Sequence, residues 1–252
     1  MPRTIADWGG NIVAFAVTIL LNVLSNALPI NGQSMPEISA KYPSLFTPAG
    51  FTFSIWGIIY AALLAFVLWQ ALPAQRNNRK LAGISVLFKV NCIANAAWIV
   101  VWHYDLLVLS LLVMLVILAT LVLIYRALIA DIDKAPFKEH LVLYLPFSVY
   151  TGWITLATIA NASVVQTAND WDNIAITAVQ WALLKLSLAG AVAATMIVRF
   201  RDVPFALAVA WGAYGISVMQ SATPEVSGAA MALSLLALIL VARDGTARLL
   251  GN

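Results

Sequence analysis

The chain reads as an all-α protein, a polytopic membrane helical bundle of about eight transmembrane helices, and three observations predict it. Of its 252 residues, 62% are hydrophobic and only 10% are charged, where a globular domain carries roughly 25% charged residues. Apolar runs close to the roughly 20 residues needed to cross a bilayer recur along nearly the whole length. The basic residues sit singly in the gaps between those runs, as expected of loops that hold a membrane protein in one orientation. A net charge of +3 and a pI near 9.1 therefore point to membrane loops, with the lipid bilayer as partner and no nucleic acid.

Eight spans are expected, at 8–28, 51–72, 81–102, 106–125, 141–165, 174–198, 203–221 and 226–242, the last two being short. The first follows Arg3 and ends in Ser25-Asn26-Ala27, which mimics a signal-peptide cleavage site. A retained helix is the better reading, because its loss would strip the second helix of its neighbour. With the N-terminus cytoplasmic, one side receives Arg3, Arg76, Arg79, Lys80, Arg126, Lys134, Lys138, Arg199, Arg201, Arg243 and Arg248, and the other Lys41 alone. That 11-to-1 partition fits eight spans with both termini cytoplasmic. The longest connection, 29–50, is rich in Pro, Gly, Asn and Ser. It is either a solvated connector, with or without a short surface helix, or a lid over the extracytoplasmic mouth of the bundle.

That connection runs into Phe46–Tyr60, FTPAGFTFSIWGIIY, around which the candidate site is built. Phe53, Trp56 and Tyr60 stand at i, i+3 and i+7, so a helix would turn all three rings to one face. In the third span Asn91, Asn95, Trp98 and Trp102 fall at i, i+4, i+7 and i+11. An asparagine facing hydrocarbon is costly, so this stripe should face other helices, either as hydrogen bonds that fix packing or as the wall of a pocket. The fifth span repeats the pattern with Trp153, Ala157 and Asn161, behind a Pro146 expected to kink it. Two lysines lie within spans. Lys89 can snorkel to the cytoplasmic surface, whereas Lys185 falls near the middle of the sixth span, with no Asp or Glu inside any span to pair with it. An intramembrane lysine is a functional-site hypothesis by default. A retinal Schiff base would want an intramembrane carboxylate as counter-ion, and the spans have none. Cys92 lies inside a span as a structural thiol, and His103 and His140 have no metal-ligand spacing.

These stretches resemble the TspO/translocator-protein family, the tryptophan-rich sensory proteins. The family's second helix opens with Trp-x-Pro-Pro and continues to Val-Trp-x-x-Leu-Tyr; here the opening is Phe46-Thr47-Pro48-Ala49 and the core Ile55-Trp56-Gly57-Ile58-Ile59-Tyr60. Asn91, Asn95, Trp98 and Trp102 follow the third-helix motif, and Trp153, Ala157 and Asn161 keep the fifth-helix pattern intact. Departures are Phe46 for Trp, Ala49 for the second Pro, one residue fewer before Trp56 and a Pro146 three residues farther from Trp153. The Tyr and Arg of the animal members' cholesterol-recognition segment are missing after Asn161. The motifs cover 8–165. The division this suggests is 1–165, a five-helix core with the lid-like loop 29–50, and 166–252, three additional helices packed on it as in an extended subfamily.

The resemblance implies a pocket under the first loop that binds a porphyrin, haem or other flat hydrophobic ligand, with no obligatory cofactor. It also implies a homodimer and an inner bacterial membrane. Carried over, Trp56, Trp98, Trp153, Ala157 and Asn161 would line that pocket; Phe53, Tyr60, Asn91, Asn95 and Lys185 join them from the reading of the residues themselves. The leading expectation is a sensory or regulatory binding protein. The alternative is a membrane transporter of a small anionic or lipophilic solute. An enzyme is not expected, as the chain shows no acid–base pair or nucleophile–base constellation; porphyrin photodegradation through Trp153 would be the exception.

Overall fold

The computed structural model describes residues 3–28, 30–33, 35–130 and 135–249, and among them the chain is helical with no strand. The long apolar helices are α1 (Ile5–Ala27), α3 (Ile55–Gln70), α4 (Arg79–His103), α5 (Leu107–Ile129), α7 (Leu145–Ala168), α8 (Ala178–Phe200), α9 (Val203–Met219) and α10 (Pro224–Leu249). A short helix, α2 (Met35–Lys41), sits in the first connection, and a one-turn helix, α6 (Phe137–Glu139), leads into α7. Among the described residues, seven helical stretches are long and apolar enough to cross a membrane. The eighth, α9, has 17 residues, or about 25 Å at 1.5 Å per residue, a little short of the ~30 Å hydrocarbon core.

Local chemistry moves several expected boundaries. The second helix begins only at Ile55, after a 3₁₀ turn at Gly50–Ser54, so Phe53 is not part of the α-helical stripe of Trp56 and Tyr60. The sixth begins at Ala178 and not near 174. Thr177 caps it in a reciprocal capping box: the Gln180 N–H donates to Thr177 Oγ1 at 3.2 Å, and the Thr177 N–H to Gln180 Oε1 at 2.9 Å. Lys185 is therefore seven residues inside α8, in its second turn to third turn and not at mid-span. Asp7 lies within α1, so the helices are not free of carboxylates. Ahead of Pro146, which lacks an N–H and crowds the carbonyl four residues back, the chain runs through a π turn at His140–Tyr144. Of the loop cations used to orient the chain, Lys134 and the side chain of Arg248 lie outside the described residues, as do Pro29 and Ser34 of the first connection.

Contacts divide the chain into two compact units, Met1–Ile38 with Trp56–Thr151, and Ser39–Ile55 with Gly152–Asn252. The boundaries fall at Ile38/Ser39, Ile55/Trp56 and Thr151/Gly152, whereas the division at residue 165 rests on motif coverage, a separate criterion.

In the first unit, α1 and α4 pair through a ladder of polar contacts. Ser85 Oγ donates to Asn11 Oδ1 (3.0 Å), Thr18 Oγ1 to the Cys92 carbonyl (3.0 Å) and Asn22 Nδ2 to Asn95 Oδ1 (3.1 Å). The numbers rise together along both helices, so α1 and α4 run parallel. Phe66, Phe88 and Phe147, each at most 1% exposed, meet edge to face with centroids 5.0–6.1 Å apart and fill the apolar core. At one end, buried Arg3 donates to Asp7 Oδ1 (2.7 Å), to the Gln70 carbonyl (2.8 Å) and to Gln70 Oε1. Lys89 runs its stem past Gly10 and donates to the Ala6 carbonyl at 3.2 Å, near the N-terminal end of α1.

In the second unit, α8 buries Ala182, Leu186, Ala189, Ala193 and Ile197, one helical stripe, with Phe205, Val209, Ala213 and Leu233 in the same core. Backbones approach closely where side chains are smallest. A Cβ on Gly152 would stand 2.7 Å from the Phe205 carbonyl oxygen and 3.1 Å from Ala208 Cβ, and one on Gly215 would overlap the Thr52 side chain. The segment before α3 is anchored on α9. The Ala49 N–H donates to the Gly215 carbonyl (3.0 Å), Trp211 Nε1 to the Thr52 carbonyl (2.9 Å) and Gln220 Nε2 to the Thr47 carbonyl (3.1 Å). Phe46, 1% exposed, is packed in this unit's core. A proline at position 49 could not make the bond to Gly215, which gives this chain's departure at that position a structural use.

Candidate functional site

Of the ten candidate residues, Trp56, Tyr60, Asn91, Asn95 and Trp98 belong to the first unit, and Phe53, Trp153, Ala157, Asn161 and Lys185 to the second.

In the first unit, the opening turns of α3 carry Trp56 and Tyr60, four residues apart and so on one face. Their rings stack at 5.1 Å and 21°, and the Trp56 ring meets the Tyr150 ring at 5.7 Å and 68°. Beneath this trio lies a chain of hydrogen bonds. Tyr60 Oη donates to Asn22 Oδ1 (2.6 Å), Asn22 Nδ2 to both the Thr18 carbonyl (2.9 Å) and Asn95 Oδ1 (3.1 Å), and Asn95 Nδ2 to Tyr150 Oη (2.8 Å). Trp56 and Tyr60 are half-buried, while Asn95 and Tyr150 are buried. Interhelical polar pairs in membrane proteins contribute about 0.6 kcal/mol on average, so the chain orients the rings more than it holds the unit together. Asn22 is the member that reading of the sequence missed. It falls with Asn11, Thr18 and Ser25 at i, i+7, i+11 and i+14, the kind of polar stripe that marks α4.

Asn91 does something else. Its Nδ2 donates to the Ile117 carbonyl (3.1 Å) and Thr120 Oγ1 (2.9 Å), tying α4 to α5, which is the packing role that an intramembrane asparagine also allows. Trp98 stacks on Trp102 at 5.3 Å and 18°.

In the second unit, Phe53 is 42% exposed and meets the buried Trp153 edge to face at 5.9 Å. Ala157 is half-buried and Asn161 buried, one and two turns farther along α7. Lys185 Nζ donates to Gln166 Oε1 at 2.5 Å. It lines a concavity with Ser44, Phe46, Thr167, Asp172 and Trp181, whose volume of about 10 Å³ admits one water-sized atom. None of the other nine candidates lines it, and Asp172, from the loop before α8, is the carboxylate that shares it with Lys185. Among the described residues no three His, Cys, Asp or Glu side chains are grouped to hold a metal ion.

No curated protein and no solved structure matches this chain. A family model for TSPO-like protein matches residues 7–243, which takes the relationship past the motif-bearing 8–165 and into α10. With apolar helices throughout and that match over nearly its whole length, the chain is an integral membrane protein and belongs to the TSPO-like protein family.

Proposed function

We propose that the protein binds a planar hydrophobic ligand of the tetrapyrrole class against Trp56 and serves a sensory or regulatory role. The observation that carries this reading is the half-exposed Trp56 ring, held by a parallel stack on Tyr60 and an edge contact to Tyr150 over a hydrogen-bonded base. A preorganised aromatic platform loses little entropy when a flat ligand settles on it. Membership of the family supports the ligand class. Phe53, Trp153, Ala157 and Asn161 keep the binding role that the motif resemblance implies for the second unit. The same reading has both termini cytoplasmic and the protein in an inner bacterial membrane.

The test is a protoporphyrin IX titration of the purified full chain, followed by tryptophan quenching. Stacking is worth ~0.5–1.5 kcal/mol beyond the area buried, so Trp56→Ala should weaken binding about tenfold. Unaltered affinity in Trp56→Ala would falsify the assigned platform, and unaltered affinity in Trp153→Ala would remove the binding role that the resemblance implies for the second unit. A second reading, transport of a small anionic solute, draws on one observation: the Lys185 amine faces a polar concavity from within a membrane helix.

A further inference from the structure

The hydrogen bonds beneath Trp56 run in one direction, and that direction leaves one hydrogen over. Asn22 Nδ2 lies 2.9 Å from the Thr18 carbonyl oxygen. A carbonyl only accepts, so the amide group facing it is the NH₂ and the orientation of Asn22 is fixed. Its Oδ1 is then the atom that faces Tyr60, and the Tyr60 hydroxyl must donate. The Asn22 NH₂ also donates to Asn95 Oδ1, which turns the Asn95 NH₂ toward Tyr150. Tyr150 Oη therefore accepts. Its own hydrogen has no acceptor among the described residues, although the side chain is 98% buried by its 2% exposure. The two phenols beside Trp56 are thus unlike: the Tyr60 hydrogen is committed to Asn22, and the Tyr150 hydrogen is available.

A buried donor left unsatisfied keeps the full cost of its desolvation. The acceptor half of the Tyr150 hydroxyl serves Asn95, but nothing described uses the donor half. We propose that Tyr150 donates this hydrogen to an oxygen at the edge of the bound ligand, a carbonyl or a carboxylate, and so selects oxygen-edged planar ligands over bare ones. The assignment rests on the planar-ligand reading above and adds a chemical requirement to it. Asn22 and Asn95 act as positioning residues, because they fix which phenol has a hydrogen to give.

The experiment compares mesoporphyrin, which carries two propionate carboxylates, with etioporphyrin, the same macrocycle with alkyl groups alone. Both are titrated into the full chain in nanodiscs, as wild type, Tyr150→Phe and Tyr60→Phe. Wild type should prefer mesoporphyrin. In Tyr150→Phe that preference should fall about tenfold, the scale of one charge-assisted hydrogen bond, with etioporphyrin affinity retained as the sign that the site still folds. Tyr60→Phe should move the two affinities together and leave the preference intact. Equal affinity of the wild type for both porphyrins overturns the donor assignment whatever the variants do, as does a preference unchanged by Tyr150→Phe or lost equally in Tyr60→Phe. If the wild type binds neither porphyrin, the planar-ligand reading fails and the donor assignment goes with it.

Discussion

Lys185 carries an ammonium into α8 with one hydrogen-bond partner among the described residues, the Gln166 amide at 2.5 Å. Insertion scales put a lysine at a helix centre near +2.5 to +3.5 kcal/mol, less where its stem can reach a polar loop. A residue of that kind adds little to stability. Lys185→Met should therefore not lower the apparent Tm of the purified protein. If the amine serves anion transport, the same variant should abolish chloride and lactate flux in proteoliposomes. A Tm several degrees lower would make Lys185 a structural residue, and flux that survives the change would remove it from any transport role. Its depth was readable in advance: Thr177-x-x-Gln180 is a capping-box pattern that starts the helix at Ala178. Asn22 was readable too, from the stripe it shares with Asn11 and Thr18. The direction of the bonds from Tyr60 to Tyr150 was not, because it depends on which amide atom faces the Thr18 carbonyl, and spacing carries no such information.

Helix contacts in this protein depend on small residues, since lipid tails are as apolar as leucine and give helices no reason to associate beyond close packing and polar pairs. Within the second unit the clearest case is Gly152 of α7 against α9. Any Cβ there would stand 2.7 Å from the Phe205 carbonyl oxygen and 3.1 Å from Phe205 Cα, both backbone atoms that cannot turn aside. Gly152→Val should destabilise the protein by ~1–3 kcal/mol, the cost of overpacking, read as a lower unfolding midpoint in detergent. Gly57→Val at a glycine whose Cβ would meet nothing within 4 Å is the matched control. Equal effects of the two changes would show that the close approach at Gly152 carries no stability. α9 is dense in Ala and Gly, a signature of tight packing visible in VPFALAVAWGAYG. Its partners are not visible there, because composition names a face that can be approached without naming what approaches it.

Helix number follows from hydropathy because each span must satisfy its own backbone in lipid, so every crossing leaves an apolar run in the chain. Membership of the two compact units does not follow, since their boundaries fall inside α2 at Ile38/Ser39, inside the aromatic segment at Ile55/Trp56 and inside α7 at Thr151/Gly152. Direction of crossing leaves a trace in both. Strict alternation requires the first and third spans to be parallel, and likewise the fifth and seventh. Within the first unit α1 and α4 pair at 11/85, 18/92 and 22/95, in rising order. Within the second, α7 meets α9 at Gly152 with Phe205 and at Leu156 with Gly212, again in rising order. Parallel packing is what a crossing α9 predicts despite its 17 residues; with α9 counted, the number of spans is even, and Arg76 and Arg243 are expected on one side. Membrane-impermeant maleimide applied to spheroplasts of a bacterial host, in a Cys92→Ala background, reads this directly. Asn173→Cys should be labelled in intact spheroplasts, while Arg76→Cys and Arg243→Cys should be labelled only after permeabilisation. Labelling of Arg243→Cys in intact spheroplasts, with Arg76→Cys still protected, would mean an odd number of crossings and would take α9 or α10 out of the membrane.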